Sequence, residues 1–139
     1  MNRAIQQTLG TRYALSLLVE AQVRSGAIAE ARAVLEEGLA ASSEERIEKS
    51  ALLHLRAELL AREGSPEAEA SFREAIALAR RQGAKMYELR ATTSLARWLT
   101  KGGRVAEARR MLARLYASFT EGFDTRDLVE AKALLEELA

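Results

Sequence analysis

The stretch GRVAEARRML at residues 103–112 begins with a glycine, has an alanine five residues later and ends on a leucine. Residues 26–35, GAIAEARAVL, follow the same order, and residues 64–72, GSPEAEASF, follow it with one residue fewer before the alanine. Glycine commonly ends a helix, and a small residue lets two helices approach closely. The pattern therefore predicts that a helix ends at each glycine and that a second helix packs against the first.

Glycines, a proline and capping residues divide the remaining chain into seven predicted helices. The predicted helices cover residues 11–25, 27–41, 43–63, 65–82, 84–101, 104–119 and 124–138. Ser42 and Glu45 match a capping box, which predicts that the third helix begins directly after Ser42. Ser65 and Pro66 match a hydroxyl cap followed by proline in the first turn of the fourth helix.

The three hairpins repeat at a regular distance along the chain. The turn glycines Gly26, Gly64 and Gly103 are separated by 38 and 39 residues. Tetratricopeptide repeats are helix hairpins of about 34 residues, so these units are a few residues longer. We predict an all-α solenoid and one domain over residues 1–139. It is a right-handed stack of three hairpins of the tetratricopeptide kind (residues 11–41, 43–82 and 84–119) with a capping helix at 124–138.

The fifth helix separates apolar from basic side chains. One predicted face is apolar and lies towards the core: Leu89, Thr92, Leu95, Ala96 and Leu99. The opposite face is predicted to be exposed: Arg90, Thr93, Arg97 and Lys101. Such a division at helical spacing is typical of a helix that packs on one side only.

Three further segments resemble a particular family. Residues 83–97 (GAKMYELRATTSLAR), 103–109 (GRVAEAR) and 119–125 (FTEGFDT) resemble the C-terminal tetratricopeptide segment of large bacterial signalling proteins. Those proteins join a class III adenylate or guanylate cyclase, or another input domain, to an ATPase of the signal-transduction type. The resemblance extends from about Gly10 to the end of the chain and implies a regulatory repeat segment. It implies no catalytic role, because the cyclase and ATPase parts are absent.

Charge is distributed unevenly, although the net charge is only +1. Residues 77–114 carry 10 basic and 2 acidic side chains, whereas residues 1–76 carry 9 basic and 12 acidic ones. Residues 115–139 carry 2 basic and 6 acidic side chains. The basic segment predicts a surface for an acidic partner, while the overall balance and the absence of a recognition motif argue against nucleic acid.

The first helices of tetratricopeptide repeats line a concave groove, which gives the predicted partner-binding residues by position. They are Tyr13, Glu20, His54, Glu58, Arg90, Thr93, Arg97 and Lys101. Arg90 and Arg97, with Lys101 behind them, are the predicted anchor, because a guanidinium binds a carboxylate through two hydrogen bonds. A solvated helix face without a partner is the alternative interpretation.

The residues needed for most catalytic and metal sites are scarce. The chain contains no cysteine and a single histidine, His54, so a metal site would require a mixed set with Glu58. No phosphate-binding loop, nucleophile elbow or zinc-protease helix is present in the sequence. We therefore expect no enzyme activity, no metal and no cofactor.

These expectations define a function class. The chain is predicted to be a non-catalytic protein–protein interaction module that binds a protein or an acidic peptide, within a bacterial signalling system. The absence of cysteines, of a signal peptide and of a long apolar run predicts a cytoplasmic location and no membrane partner. The alternative is a structural spacer, or a self-association domain that forms a homodimer.

Overall fold

The computed structural model describes residues 17–24 and 26–139, and all regular secondary structure in this part of the chain is helical. Residues 17–24 belong to the first helix, α1. The other helices are α2 (Ile28–Ala41), α3 (Ile47–Arg62), α4 (Ala68–Arg81), α5 (Lys85–Lys101), α6 (Val105–Ala117) and α7 (Arg126–Leu138). The predicted all-α class is confirmed for the described residues.

The predicted turn glycines adopt one common conformation. Gly26, Gly64 and Gly103 have φ values of +82°, +72° and +84°. In each turn the glycine N–H donates to the carbonyl three residues earlier, and the next N–H donates to the carbonyl five residues earlier. These two bonds define the Schellman motif, which satisfies the last carbonyls of a helix. The motif recurs at Gly83, where φ is +69°.

The alanines of the repeated pattern lie where the sequence predicted. Ala31, Ala68 and Ala108 have no exposed surface. The larger residues four positions further on are also buried, namely Leu35, Phe72 and Leu112. Each repeat of the pattern therefore places one small and one large apolar side chain in a packed interior. The small alanine leaves room for its large neighbour.

The predicted start of the third helix is wrong. α3 begins at Ile47, whereas Ser42 is the C-cap of α2 and its N–H donates to the Leu39 carbonyl. The Arg46 N–H donates to the Ser43 carbonyl and closes a turn before α3. This turn leaves Glu45 outside the helix, so the capping box predicted from Ser42 and Glu45 does not form.

The start signal before α4 acts as predicted, although the helix itself begins later. The Ser65 hydroxyl accepts a hydrogen bond from the Glu67 N–H at 3.2 Å, and the Ser65 carbonyl accepts one from Ala68 at 3.2 Å. Together these bonds order the turn at Pro66. Regular helix then runs from Ala68.

The chain divides into two compact units, residues 1–71 and residues 72–139, with the boundary inside α4. In the first, the N-terminal unit, α2 contacts α3 around an apolar cluster. The buried members of that cluster are Val19, Val23, Ala31, Leu35, Leu52, Leu55 and Leu59.

Two arginines make contacts at the edge of this cluster. Arg62 donates a hydrogen bond to the Val23 carbonyl, which joins α3 to α1. Arg32 of α2 pairs with Glu63, the C-cap of α3. The hydrogen bond that Arg32 donates to Glu63, and then the negative charge of Glu63, raise the pKa of Arg32 above its usual value, so this guanidinium stays charged.

In the second, the C-terminal unit, α5 packs against α6, and α7 contacts both helices. The predicted inner face of α5 is buried throughout, since Leu89, Thr92, Leu95, Ala96 and Leu99 are each at most 2% exposed. α7 buries Leu128, Ala131, Leu134 and Leu138. No helix among the described residues is both long and apolar enough to cross a bilayer.

Candidate functional site

Arg90, a predicted anchor for a partner, is paired within the protein. Its Nε lies 3.2 Å from Asp127 Oδ1 and its Nη2 lies 3.0 Å from Asp127 Oδ2. The guanidinium also lies 5.3 Å from the centre of the Tyr87 ring. The Arg90 guanidinium binds the Asp127 carboxylate through two hydrogen bonds and thereby joins α5 to α7. Arg90 therefore contributes to the fold, and a partner would have to compete with Asp127 for it.

Thr93 does not lie on an exposed face. It is 4% exposed, and its hydroxyl donates to the Leu89 carbonyl at 2.9 Å. The prediction of an outward-facing Thr93 is therefore wrong, because the side chain is buried and its hydroxyl is bonded within α5.

Arg97 and Lys101 are exposed, in agreement with the predicted basic face. Among the described residues, neither side chain lies within ion-pair distance of a carboxylate. These two residues are one turn apart on α5 and form the part of the predicted surface that stays open to solvent.

The remaining predicted residues belong to the N-terminal unit. His54 is 8% exposed, and its Nε2 lies 3.0 Å from Glu58 Oε1 one turn later. Glu20 pairs with Arg24, also one turn later. Tyr13 lies outside the described residues. His54 and Glu58 are one turn apart within one helix, and so are Glu20 and Arg24.

A groove of about 790 Å³ lies in the C-terminal unit between α4 and α6, with α5 at its base. Its lining residues are Arg73, Ile76, Ala77, Arg80, Thr92, Glu107, Arg110, Met111, Arg114, Leu115 and Ser118. Ile76 and Thr92 are buried, whereas Met111 and Leu115 are half-buried. The groove therefore has an apolar floor, and four arginines lie along its lining.

Two polar contacts lie at opposite ends of α6. Near the start of α4, Arg73 Nη2 lies 3.1 Å from Oε1 of Glu107 in the first turn of α6. Just after α4 ends, Lys85 Nζ donates to the Ser118 carbonyl at 2.7 Å and lies 4.5 Å from the centre of the Phe119 ring. α4 therefore contacts the first turn of α6 through Arg73, and the first residue of α5 contacts the C-cap of α6.

Two of the four arginines along the groove have acidic partners. Glu107 accepts from both Arg73 and Arg104, and Arg80 Nη2 lies 2.9 Å from Oε2 of the buried Glu88. In contrast, Arg110 and Arg114 are exposed, and no carboxylate among the described residues lies within ion-pair distance. The positive charge of the groove is therefore concentrated on one wall.

The sequence contained a signal for this groove that the predictions did not use. Arg73 and Arg80 are seven residues apart, and Arg110 and Arg114 are four apart, so each pair lies on one face of a helix. The predictions followed the first helix of each hairpin, and α4 and α6 are second helices. The two arginine pairs line one groove because Arg73 of α4 contacts Glu107 of α6, which the spacing along the chain does not reveal.

No cluster of three or more histidine, aspartate or glutamate side chains with metal-binding geometry occurs in the described part of the chain. The one histidine lies beside Glu58 in the N-terminal unit, away from the groove residues in the sequence. The groove can therefore offer hydrogen-bond donors, positive charge and apolar surface.

Comparisons of the chain with protein-family models, curated proteins and solved structures return no match.

Proposed function

We propose that this protein is a non-catalytic interaction module that binds an acidic protein segment in the groove between α4 and α6. The observation that carries the proposal is the pair Arg110 and Arg114, exposed beside an apolar floor and without an acidic partner among the described residues. An exposed groove that combines apolar surface with uncompensated charge of one sign is typical of a binding site.

The apolar floor and the arginines make different contributions. Burying one aliphatic side chain of a partner against Ile76, Met111 and Leu115 contributes about 1.5–3 kcal/mol. An exposed ion pair with a guanidinium contributes only about 0.2–1 kcal/mol. The floor therefore supplies most of the affinity, whereas the arginines select acidic partners and accelerate their association.

The wider architecture and setting of the module are also proposals. The common turns at Gly26, Gly64 and Gly103 and the buried alanines support three stacked hairpins of the tetratricopeptide kind. The likeness of residues 83–97 to bacterial signalling proteins supports a regulatory role in the cytoplasm. Arg97 and Lys101 extend the basic surface of such a module and attract an acidic partner from a distance.

A matched pair of double variants tests the groove assignment. Arg110→Ala/Arg114→Ala and Arg97→Ala/Lys101→Ala each remove two positive charges from the C-terminal unit, but only the first pair lines the groove. The probe is a fluorescein-labelled acidic peptide that contains both Glu and Leu residues, measured by anisotropy at 150 mM salt. At this salt, charges farther than about 8 Å from the ligand are largely screened.

We expect the groove variant to weaken binding about tenfold, equivalent to about 1.4 kcal/mol, and the Arg97/Lys101 variant to change it less than about twofold. Thermal unfolding of both variants is the control for folding. Equal losses of affinity in the two variants would show that binding depends on the overall positive charge and not on the groove. A loss of affinity confined to the Arg97/Lys101 variant would favour the binding surface predicted from the first helices of the hairpins.

Self-association is the second candidate, and one feature of α7 favours it. Val129 is 51% exposed, and Ala133, one turn later on the outer face of the helix, is exposed as well. A second copy could cover this stripe. Light scattering at several concentrations tests the candidate: a dimer that Val129→Lys dissociates supports it, and a monomer at every concentration rejects it.

A further inference from the structure

We infer that the occupant of the groove is an amphipathic α-helix with two carboxylates one turn apart, rather than an extended acidic peptide. The inference rests on the proposed function and specifies the conformation and spacing of the partner. Its basis is the chemistry of the lining, which offers apolar surface and cationic donors but few acceptors.

An extended peptide would bring backbone N–H groups that need acceptors. The arginines cannot accept a hydrogen bond. The acceptors in the lining are few: Glu107 already binds two arginines, and Thr92 is 2% exposed. Ser118 donates its hydroxyl to the Leu115 carbonyl, and its own carbonyl accepts from Lys85. The walls and base are helices whose own backbone bonds are internal, so they present no strand edge. A helix avoids the problem, because it satisfies its own backbone groups and presents only side chains.

The spacing of the uncompensated arginines fits the same partner. Arg110 and Arg114 are four residues apart on α6, which corresponds to a rise of about 6 Å. Carboxylates at positions i and i+4 of a second helix have the same rise and project from one face. Apolar side chains beside them, also four residues apart, would then lie over Met111 and Leu115.

The charge distribution favours a protein helix over a nucleic acid. A nucleic-acid groove usually combines cations on both walls with aromatic stacking surfaces. Here Arg73 and Arg80 on the α4 wall are compensated by Glu107 and Glu88, and no aromatic residue lines the groove. The positive wall is therefore only one turn long and faces an apolar floor, which suits an amphipathic helix.

Three fluorescein-labelled peptides of 16 residues and equal net charge test the inference. The first has Leu at positions i and i+4 and Glu at i+1 and i+5 in an alanine-rich helix. The second moves the two Glu residues to i+2 and i+6, away from the apolar stripe. The third is the first with proline in place of one outward-facing alanine at its centre, which breaks the helix by about 3 kcal/mol or more.

We expect the first peptide to bind about tenfold more tightly than the other two, because it brings a preorganised helix in the right phase. The Arg110→Ala/Arg114→Ala variant should remove this preference. As a separate variant, Ala77→Glu adds a carboxylate to the exposed rim of the groove and should weaken binding of the first peptide. Ala113→Glu is the matched control, because Ala113 is exposed on α6 but does not line the groove.

The outcomes separate the inference from the proposed function. Equal binding of all three peptides that still depends on Arg110 and Arg114 overturns the helical partner and keeps the acidic-segment proposal. Binding that is indifferent to the groove variants, or no binding, overturns both. Displacement of the first peptide by a 20-base-pair DNA duplex at equal or lower concentration overturns the choice of a protein partner.

Discussion

The two units use their arginines in opposite ways. Residues 1–71 carry 8 basic and 11 acidic side chains, whereas residues 72–139 carry 13 basic and 9 acidic ones. In the N-terminal unit every described arginine has a contact within the chain: Arg24, Arg32, Arg46, Arg56 and Arg62. In the C-terminal unit Arg97, Arg110 and Arg114 are exposed without an ion-pair partner among the described residues.

This difference shows what a local excess of charge does in a helical protein. In the unit where carboxylates outnumber cations, each described arginine has a contact within the chain, with a carboxylate for Arg24 and Arg32 and with the Val23 carbonyl for Arg62. Where only 2 acidic side chains accompany 10 basic ones, in residues 77–114, some guanidiniums stay uncompensated. Those residues are available for an external carboxylate, at little cost in stability, because exposed ion pairs contribute only about 0.2–1 kcal/mol.

The two units should respond alike when their cores are truncated, since the comparison concerns surface charge and not packing. Leu35 and Leu112 hold the same place in the repeated pattern, and neither has exposed surface. We expect Leu35→Ala and Leu112→Ala each to lower the free energy of unfolding by about 2–5 kcal/mol. Urea denaturation measures the change. A loss below about 1 kcal/mol at either position would contradict equivalent burial.

The glycine turns should also behave alike in both units. Gly26→Ala and Gly103→Ala place a side chain at φ values of +82° and +84°, which should cost about 1–2 kcal/mol each. Gly102 is the matched control, because its φ is −86° and an added Cβ would meet the Leu99 carbonyl at an ordinary 3.5 Å. Chemical denaturation should therefore find Gly102→Ala close to neutral; a cost equal to that of Gly103→Ala would argue against the left-handed turn.

The Arg90–Asp127 pair should be a modest stabiliser within the C-terminal unit. A double-mutant cycle with Arg90→Ala and Asp127→Ala should give a coupling of about 0.5–1 kcal/mol, because Asp127 is largely covered and bound through two bonds. The exposed pair Arg126 and Glu130 is the comparison, with about 0.3–0.5 kcal/mol expected. A coupling of zero in the first cycle would contradict the stabilising role of the Arg90–Asp127 pair.

The sequence predicted the local elements of the fold well, because they depend on near neighbours. A turn glycine needs only its own φ and two bonds within five residues, and Gly26, Gly64 and Gly103 were identified correctly. The failure at Ser42 is also local: the turn closed by the Ser43 carbonyl and the Arg46 N–H lies between Ser42 and α3, so the helix begins at Ile47 and not directly after Ser42.

The binding residues were harder to predict, because their state depends on distant partners. Arg90 and Arg97 are both predicted on the basic face of α5. Arg90 binds Asp127, which lies 37 residues further along the chain, whereas Arg97 is exposed to solvent. Likewise, Arg73 and Arg114 line one groove because α4 and α6 contact each other through Arg73 and Glu107, which are 34 residues apart in the sequence. Charge counting could therefore identify the basic segment, but it could not identify which arginines remain uncompensated.

The methionine methyl groups offer the most direct measurement of the central claim. The chain has three methionines, and Met111 lies in the groove whereas Met86 does not line it. A protein labelled with ¹³C at the methionine methyl groups is titrated with the phased acidic peptide and followed by NMR. The groove account predicts a saturable shift of the Met111 signal with Met86 nearly unchanged, and the loss of that shift in Arg110→Ala/Arg114→Ala. A shift at Met86 with Met111 unmoved would contradict it.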